Sequence, residues 1–498
     1  MIRSDKHRWS FSSQVLVFTI FVTVCLMANL KYFNLRSHYM DFGLFISQIN
    51  ALVHQNPLDN SGHLQPIIYL FVAIQSLFGL AALPYIMVTI QSALLIFPAY
   101  AVQKHYGFLP TFVYLLYFPL WFLALNEFHL EFFLVAASVG FFIAWESRKF
   151  WHCLPFLLLM CLTKEIYILQ AAFFGLFMVF AANNNTLSIN KRRLAIKLGF
   201  VVFVSLCSVF WIYVFIKSNV LVSLETHTPR AIFGNGFRWL GTSPFEMIKT
   251  LFTQPFTVIN VIASDHNNYK FLLFLLGPMM FLPVFGGYYL IPTIPILLIL
   301  FLSTEPNHVG ISHHYSGALI GPFFFALMHG YRKVILPLST TSIKNLFILG
   351  LTLMVFSSHV LLSPSPISRF FWTSKIWQYE KSTYFDLERS QLVKKLLLKS
   401  LTDKNRDIYL TNSLNWSYLQ EFKTVRIFDF TITQPVKNAY FVFDSGRPIY
   451  IGDRGCQWIY GECEDLILAQ QYAHLKSQLI RKAELVASDD GVEIYKTH

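Results

Sequence analysis

The stretch "NLRSHYMDFGLFISQINALVHQNP" at 34–57 sets a carboxylate, Asp41, directly after a long apolar segment. Asp41 opens an amphipathic run in which Phe42, Ile46, Ile49 and Val53 recur at helical spacing, with Gln48 along the edge of that stripe. A carboxylate at the rim of a membrane can take a proton from a hydroxyl or an amine while a lipid-borne reactant approaches from the bilayer. The same residue also suits a helix cap. Leu44, three positions on, does not complete a capping box.

Other stretches carry titratable groups beside apolar runs. "LNEFHLEFF" at 125–133 packs Glu127, His129 and Glu131 into five residues. Carboxylate and imidazole both ligate divalent cations, yet this spacing is no specific metal signature. "CLTKEIYIL" at 161–169 places Lys164 and Glu165 in one turn, where lysine suits an anionic phosphate and a self-paired turn is the plainer alternative. "HVGISHHYSGALIGP" at 308–322 brings His313, His314 and Tyr315 to the head of another apolar run, for phosphate contact or acid–base help, or as solvated loop residues. His63 opens "HLQPIIYLFVAIQSLFG", expected as an interfacial helix or as half of a helical hairpin. Cys456 and Cys463 flank "QWIYGE" among glycines and are expected as a disulfide if that region faces an oxidising compartment.

These groups need a scaffold, and composition says which. Of 498 residues, 55% are hydrophobic and 13% charged; soluble domains run at about one quarter charged. Mean hydropathy is +0.49. The chain reads as a polytopic α-helical membrane protein. Runs at 11–30, 84–102, 108–125, 130–145, 151–163, 166–182, 195–216, 270–285, 287–302, 315–331 and 344–362 predict about eleven spans, the first an uncleaved signal anchor. The expected domains are a transmembrane unit at 1–362, with outer loops 31–83 and 217–269, and an extracytoplasmic α/β domain at 363–498.

The net charge of +12 lies largely in short loops, which argues against nucleic acid as a partner. Alternating from a cytoplasmic N-terminus, the inner loops hold Lys104, Arg148, Lys149, Lys191, Arg192, Arg193, Arg332, Lys333 and Lys344. Asp41, His63, Glu127, His129, Lys164, Glu165, His313 and His314 then gather on the outer side. No Walker A loop, G-x-S-x-G or H-E-x-x-H occurs, which argues against an ATP-driven pump.

The order of "DFGLFISQ", "QPIIYLFVAIQSLFG", "NEFHLEF", "KE", "HHY" and the ending "DDGVEIYK" resembles the GT-C superfamily of integral-membrane glycosyltransferases. Within it, the chain is most similar to a bacterial polytopic membrane family of unknown function. The resemblance implies transfer of a sugar, with inversion, from a polyprenyl-phosphate donor to an extracytoplasmic acceptor at the bacterial cytoplasmic membrane. It implies Asp41 as base and Glu127 or His129 in the second acidic motif. Its substrate-binding set would be Gln48, His63, Lys164, Glu165, His313, His314 and Tyr315. Glu127 and Glu131 stand four apart, unlike the compact acidic pair of metal-dependent relatives, so a divalent metal stays an open option. A lipid-glycan transporter and a non-catalytic lipid-glycan scaffold are the rivals. A transporter would carry its polar site near the bilayer midplane.

Overall fold

The computed structural model describes residues 11–37, 42–54, 63–183, 187–224, 235–241, 243–373, 379–410, 424–427, 436–444, 474 and 476–498. Asp41, Cys456 and Cys463 lie outside the described residues.

The chain opens with α1 (Phe11–Phe33), followed by the short helices α2 (Leu44–Val53) and α3 (Ile68–Phe78). At 10 and 11 residues, α2 and α3 are about 15 Å long, half a bilayer core. They pack on each other, joined by Gln75 Nε2 donating to Asn50 Oδ1 at 2.7 Å. Next come α4 (Leu83–Ile96) and α5 (Pro98–Tyr106), which together make a 24-residue candidate span. Gly107, at φ +85°, turns the chain into α6 (Phe108–Leu116). Pro119 begins α7 (Phe118–Leu125), which bends 49° from α6 because proline cannot continue the hydrogen-bond ladder. Four helices follow: α8 (Phe132–Glu146), α9 (Leu154–Thr163), α10 (Ile166–Ala182) and α11 (Ile189–Leu224).

The segment expected as an outer loop at 217–269 carries helices: α12 (Pro244–Thr253), α13 (Pro255–Ser264) and the start of α14 (His266–Leu276). A 3-10 stretch over 277–293 leads to α15 (Ile294–Leu302), α16 (Gly317–Val334) and α17 (Thr341–Leu362).

Among the described residues, five helices are long and apolar enough to cross a membrane, or six if the bent α6–α7 pair is one span. The expected eleven runs therefore do not all become long helices. Phe132–Glu146, Phe150–Thr163 and Ile166–Ala182 are apolar but shorter than 18 residues. The run at 270–285 breaks at Gly277-Pro278, and Met280 and Phe281 take left-handed backbone there. The centre of the bundle is α8 and α16, most of whose residues are buried. Two glycines let α10 and α11 touch backbone to backbone: a Cβ added at Gly175 would stand 2.8 Å from Gly199 O.

The C-terminal part begins with three helices, α18 (Arg369–Thr373), α19 (Lys381–Phe385) and α20 (Leu387–Ser400). It ends in a small mixed sheet of β1 (Asp407–Leu410), β2 (Thr424–Ile427), β3 (Ala439–Asp444), β4 (Glu484–Asp489) and β5 (Val492–Lys496), in the order β2-β1-β3-β5-β4. β1 pairs in parallel with β2 and β3; β5 is antiparallel to β3 and β4. The central strand "AYFVFD" is buried along its whole length, as a run apolar on both faces requires. Asp490 (φ +44°) and Gly491 (φ +77°) make the two-residue hairpin turn that "DDG" predicts.

Candidate functional site

The turn between α7 and α8, residues 126–131, is held from two sides. From α4, the buried Gln91 donates Nε2 to Leu123 O, Ala124 O and Glu127 O at 3.1–3.2 Å, and its Oε1 accepts His129 N at 3.2 Å. From the end of α1, the buried Lys31 donates to Leu125 O at 3.1 Å, to Asn126 O, and to Glu127 Oε1 at 2.9 Å. The ammonium is fully enclosed with its carboxylate, at 3% and 1% side-chain exposure. Tyr379, just ahead of α19, donates to Asn126 Oδ1 at 3.2 Å.

With its backbone fixed, this turn presents His129 and Glu131 to a second loop. The His129 and His314 rings stack with centroids 3.6 Å apart and planes 20° apart. His314 Nε2 lies 3.9 Å from Glu131 Oε1. One ligand atom from each of His129, Glu131 and His314 falls within 4.8 Å of the others. Two imidazoles and a carboxylate form a donor set that zinc, manganese and iron(II) accept.

Three helix beginnings meet at this point. Glu131 precedes α8, and Tyr167 in the first turn of α10 donates to Glu131 Oε1 at 2.8 Å. Gly317 opens α16 so close to the acid that an added Cβ would stand 3.0 Å from Glu131 Cβ. Helix N-termini present unpaired N–H groups and positive dipole ends, which favour negative charge.

The cluster extends sideways. Tyr315 meets the His314 ring at 4.0 Å and the His308 ring at 4.7 Å. His308 Nδ1 is 2.6 Å from Ser303 Oγ. Burial, and then the nearby Lys164 ammonium, push its pKa down to about 4, so the ring is neutral at physiological pH. Lys164 is half-buried at the end of α9. Its neighbour Glu165 accepts from Leu64 N at 2.9 Å and pairs with His63 Nδ1 at 2.7 Å. Burial raises the Glu165 pKa, but the His63 contact outweighs it and leaves the carboxyl below its ordinary value.

The structure thus joins His129, His314 and Tyr315 from stretches nearly 190 residues apart, and sets Lys164, Glu165 and His63 along the same flank. His313 is half-buried on the His314 loop but outside the trio. Gln48 is half-buried on α2 near Phe45, whose ring meets His129 edge-on at 6.2 Å. The acid beside the histidines is Glu131; the Glu127 carboxylate instead pairs with Lys31. Glu127 and Glu131 both stand two residues from His129, so spacing does not choose between them. Gln91 and Lys31 are the residues that sequence reasoning missed. A glutamine in an apolar helix is a usable signal, because its amide must find partners.

A solved structure, that of ArnT from Cupriavidus metallidurans in the apo state, is similar over 98% of each chain, at 14% identity and TM-score 0.43. Likeness at that level transfers neither residues nor a reaction. No curated protein matches the chain. One family model matches residues 37–400, most of the sequence, and the chain belongs to that family, the DUF2079 predicted membrane proteins.

Proposed function

We propose that this membrane protein transfers a sugar from a polyprenyl-phosphate donor to an acceptor on the outer side of a bacterial cytoplasmic membrane, with inversion. The observation that carries this reading is the meeting of three helix N-termini with His129, Glu131, His314 and Lys164. Helix N-termini and a lysine at one end of a helical bundle support a phosphate-binding reading. The motif order of the sequence supplies the sugar and the lipid.

In this reading, Lys164 and the helix N-termini stabilise the phosphate as its bond to the sugar C1 breaks. The acceptor oxygen attacks the opposite face of C1. Asp41 takes the acceptor proton, and Glu131 orients His314. A divalent cation held by His129, Glu131 and His314 would supply further charge neutralisation. In this reading the described part of 363–498 lies on the outer side, and it is held to the residues just after α1 through Arg36–Asp386 at 3.0 Å and Ser390 Oγ donating to Asn34 O at 3.0 Å.

The test is turnover of a labelled polyprenyl-phosphate sugar by the purified protein in proteoliposomes, with a membrane extract as acceptor source. Wild-type protein should release polyprenyl phosphate, and Asp41→Asn should lose about 10²–10⁴-fold of that rate with its thermal midpoint unchanged. Undiminished turnover in Asp41→Asn removes the base. Wild-type protein that binds and releases the donor unchanged sinks the transferase reading.

A further inference from the structure

The helices α12 and α13 form a consecutive pair separated only by Gln254. Its inner face is packed: Met247 and Val258 join Phe237, Leu240 and Leu302 in a small apolar cluster. Its other face is bare. Phe245, Phe252, Phe256 and Ile259 are 76%, 81%, 86% and 61% exposed. Phe252 and Phe256 are the most exposed large apolar side chains among the described residues. Over 244–264 the only ionisable side chains are Glu246 and Lys249.

We propose that this helix pair lies in the bilayer interface, its phenylalanine face among the lipid acyl chains, at the membrane level of the candidate site. Three observations select a lipid surface as the occupant. Each helix has 10 residues, about 15 Å, too short to cross a bilayer core of ~30 Å. The pair is seated on the end of a candidate span, since Leu302 closes Leu282–Leu302. Trp239, which packs in the same cluster, donates Nε1 to Leu302 O at 2.8 Å, the place where an interfacial tryptophan belongs. The same junction leads into the site: Phe237 lies 6.2 Å from the His308 ring. A lipid drawn from beside this pair would therefore arrive at His308 and Tyr315. The bilayer placement stands on the membrane character of the chain alone and is independent of sugar transfer.

The experiment attaches a bimane label at Phe252→Cys, Phe256→Cys or Glu246→Cys, one at a time, in otherwise intact protein reconstituted in phosphatidylcholine vesicles. Signal from identically treated wild-type protein is subtracted for the native cysteines. Doxyl-labelled phosphatidylcholine should quench the 252 and 256 labels at least about twofold more than the 246 label, and aqueous iodide should show the reverse order. Iodide-accessible labels at 252 and 256 overturn the proposal in favour of a water-facing helix pair. Labels shielded from both quenchers overturn it in favour of a protein partner, such as a second copy. Both phenylalanines are exposed, so either variant serves if the other fails to fold.

Discussion

His129, Glu131 and His314 are the residues on which a chemical prediction rests. Their ligand atoms lie within 4.8 Å of one another, and small side-chain movements bring them to a common cation. Tyr167 fixes the Glu131 carboxylate by donating to Oε1, so the acid is oriented before any ligand arrives. Protein incubated with zinc and then desalted should retain about one equivalent, measured by mass spectrometry of the metal. Its stability should rise by about 3 kcal/mol at a hundredfold excess over the dissociation constant. His314→Ala should lose both effects, whereas His313→Ala should keep them. Equal retention by the two variants would leave the trio as a purely structural site. Some of this was legible: "NEFHLEF" and "HHY" both marked themselves by placing imidazole and carboxylate beside apolar runs. The choice of acid was not, because it depends on Lys31, which lies 96 residues before Glu127 and captures that carboxylate.

At the scale of elements, α1 does more than cross a membrane. Its last turn delivers Lys31 into the 125–127 backbone, and the residues just after it hold the C-terminal helices. Asn34 Nδ2 donates to Tyr384 O at 2.5 Å, and Arg36 pairs with Asp386. Charge counting assigns Lys31 to an outer loop, since a lysine at the end of an apolar run is usually solvated. Here tertiary structure encloses it, and the enclosed ammonium needs its carboxylate. Lys31→Met should therefore destabilise the protein by about 3–5 kcal/mol, because the buried Glu127 carboxylate loses the ammonium 2.9 Å away. The double variant Lys31→Met/Glu127→Leu should recover most of that loss, since an apolar pair of similar volume carries no uncompensated charge. Thermal unfolding of the four proteins gives the coupling energy. Additive losses in the double variant would show that Lys31 acts through the carbonyls of Leu125 and Asn126 and not through Glu127. The helices themselves were legible from hydropathy; their lengths were not. Pro119, Gly277-Pro278 and the left-handed Met280 and Phe281 cut apolar runs that composition alone leaves continuous.

For the whole molecule, α8 and α16 set the axis. Both begin at the candidate site, at Glu131 and Gly317. Both end at the pair Glu146–Arg332, where Arg332 Nη1 lies 3.3 Å from Glu146 Oε2 and Tyr289 donates to Glu146 Oε1 at 3.0 Å. With 15 and 18 residues, the two helices are about 22 and 27 Å long, close to the ~30 Å of a bilayer core. The site and the Glu146–Arg332 pair therefore lie at opposite ends of these two helices. Near Glu146 lie the exposed Lys104, Lys149 and Lys333, so this end carries the excess of cations that marks a cytoplasmic surface. If that end is the cytoplasmic one, as the charge pattern of the sequence expects, the site and the sheet lie outside. A membrane-impermeant thiol reagent on intact cells tests it. Asp489→Cys, at the exposed hairpin of the sheet, should label readily. Lys149→Cys and Lys333→Cys should label only after the cells are opened. The opposite pattern would turn the molecule over, place the candidate site in the cytoplasm, and remove the outer-face transferase reading with it.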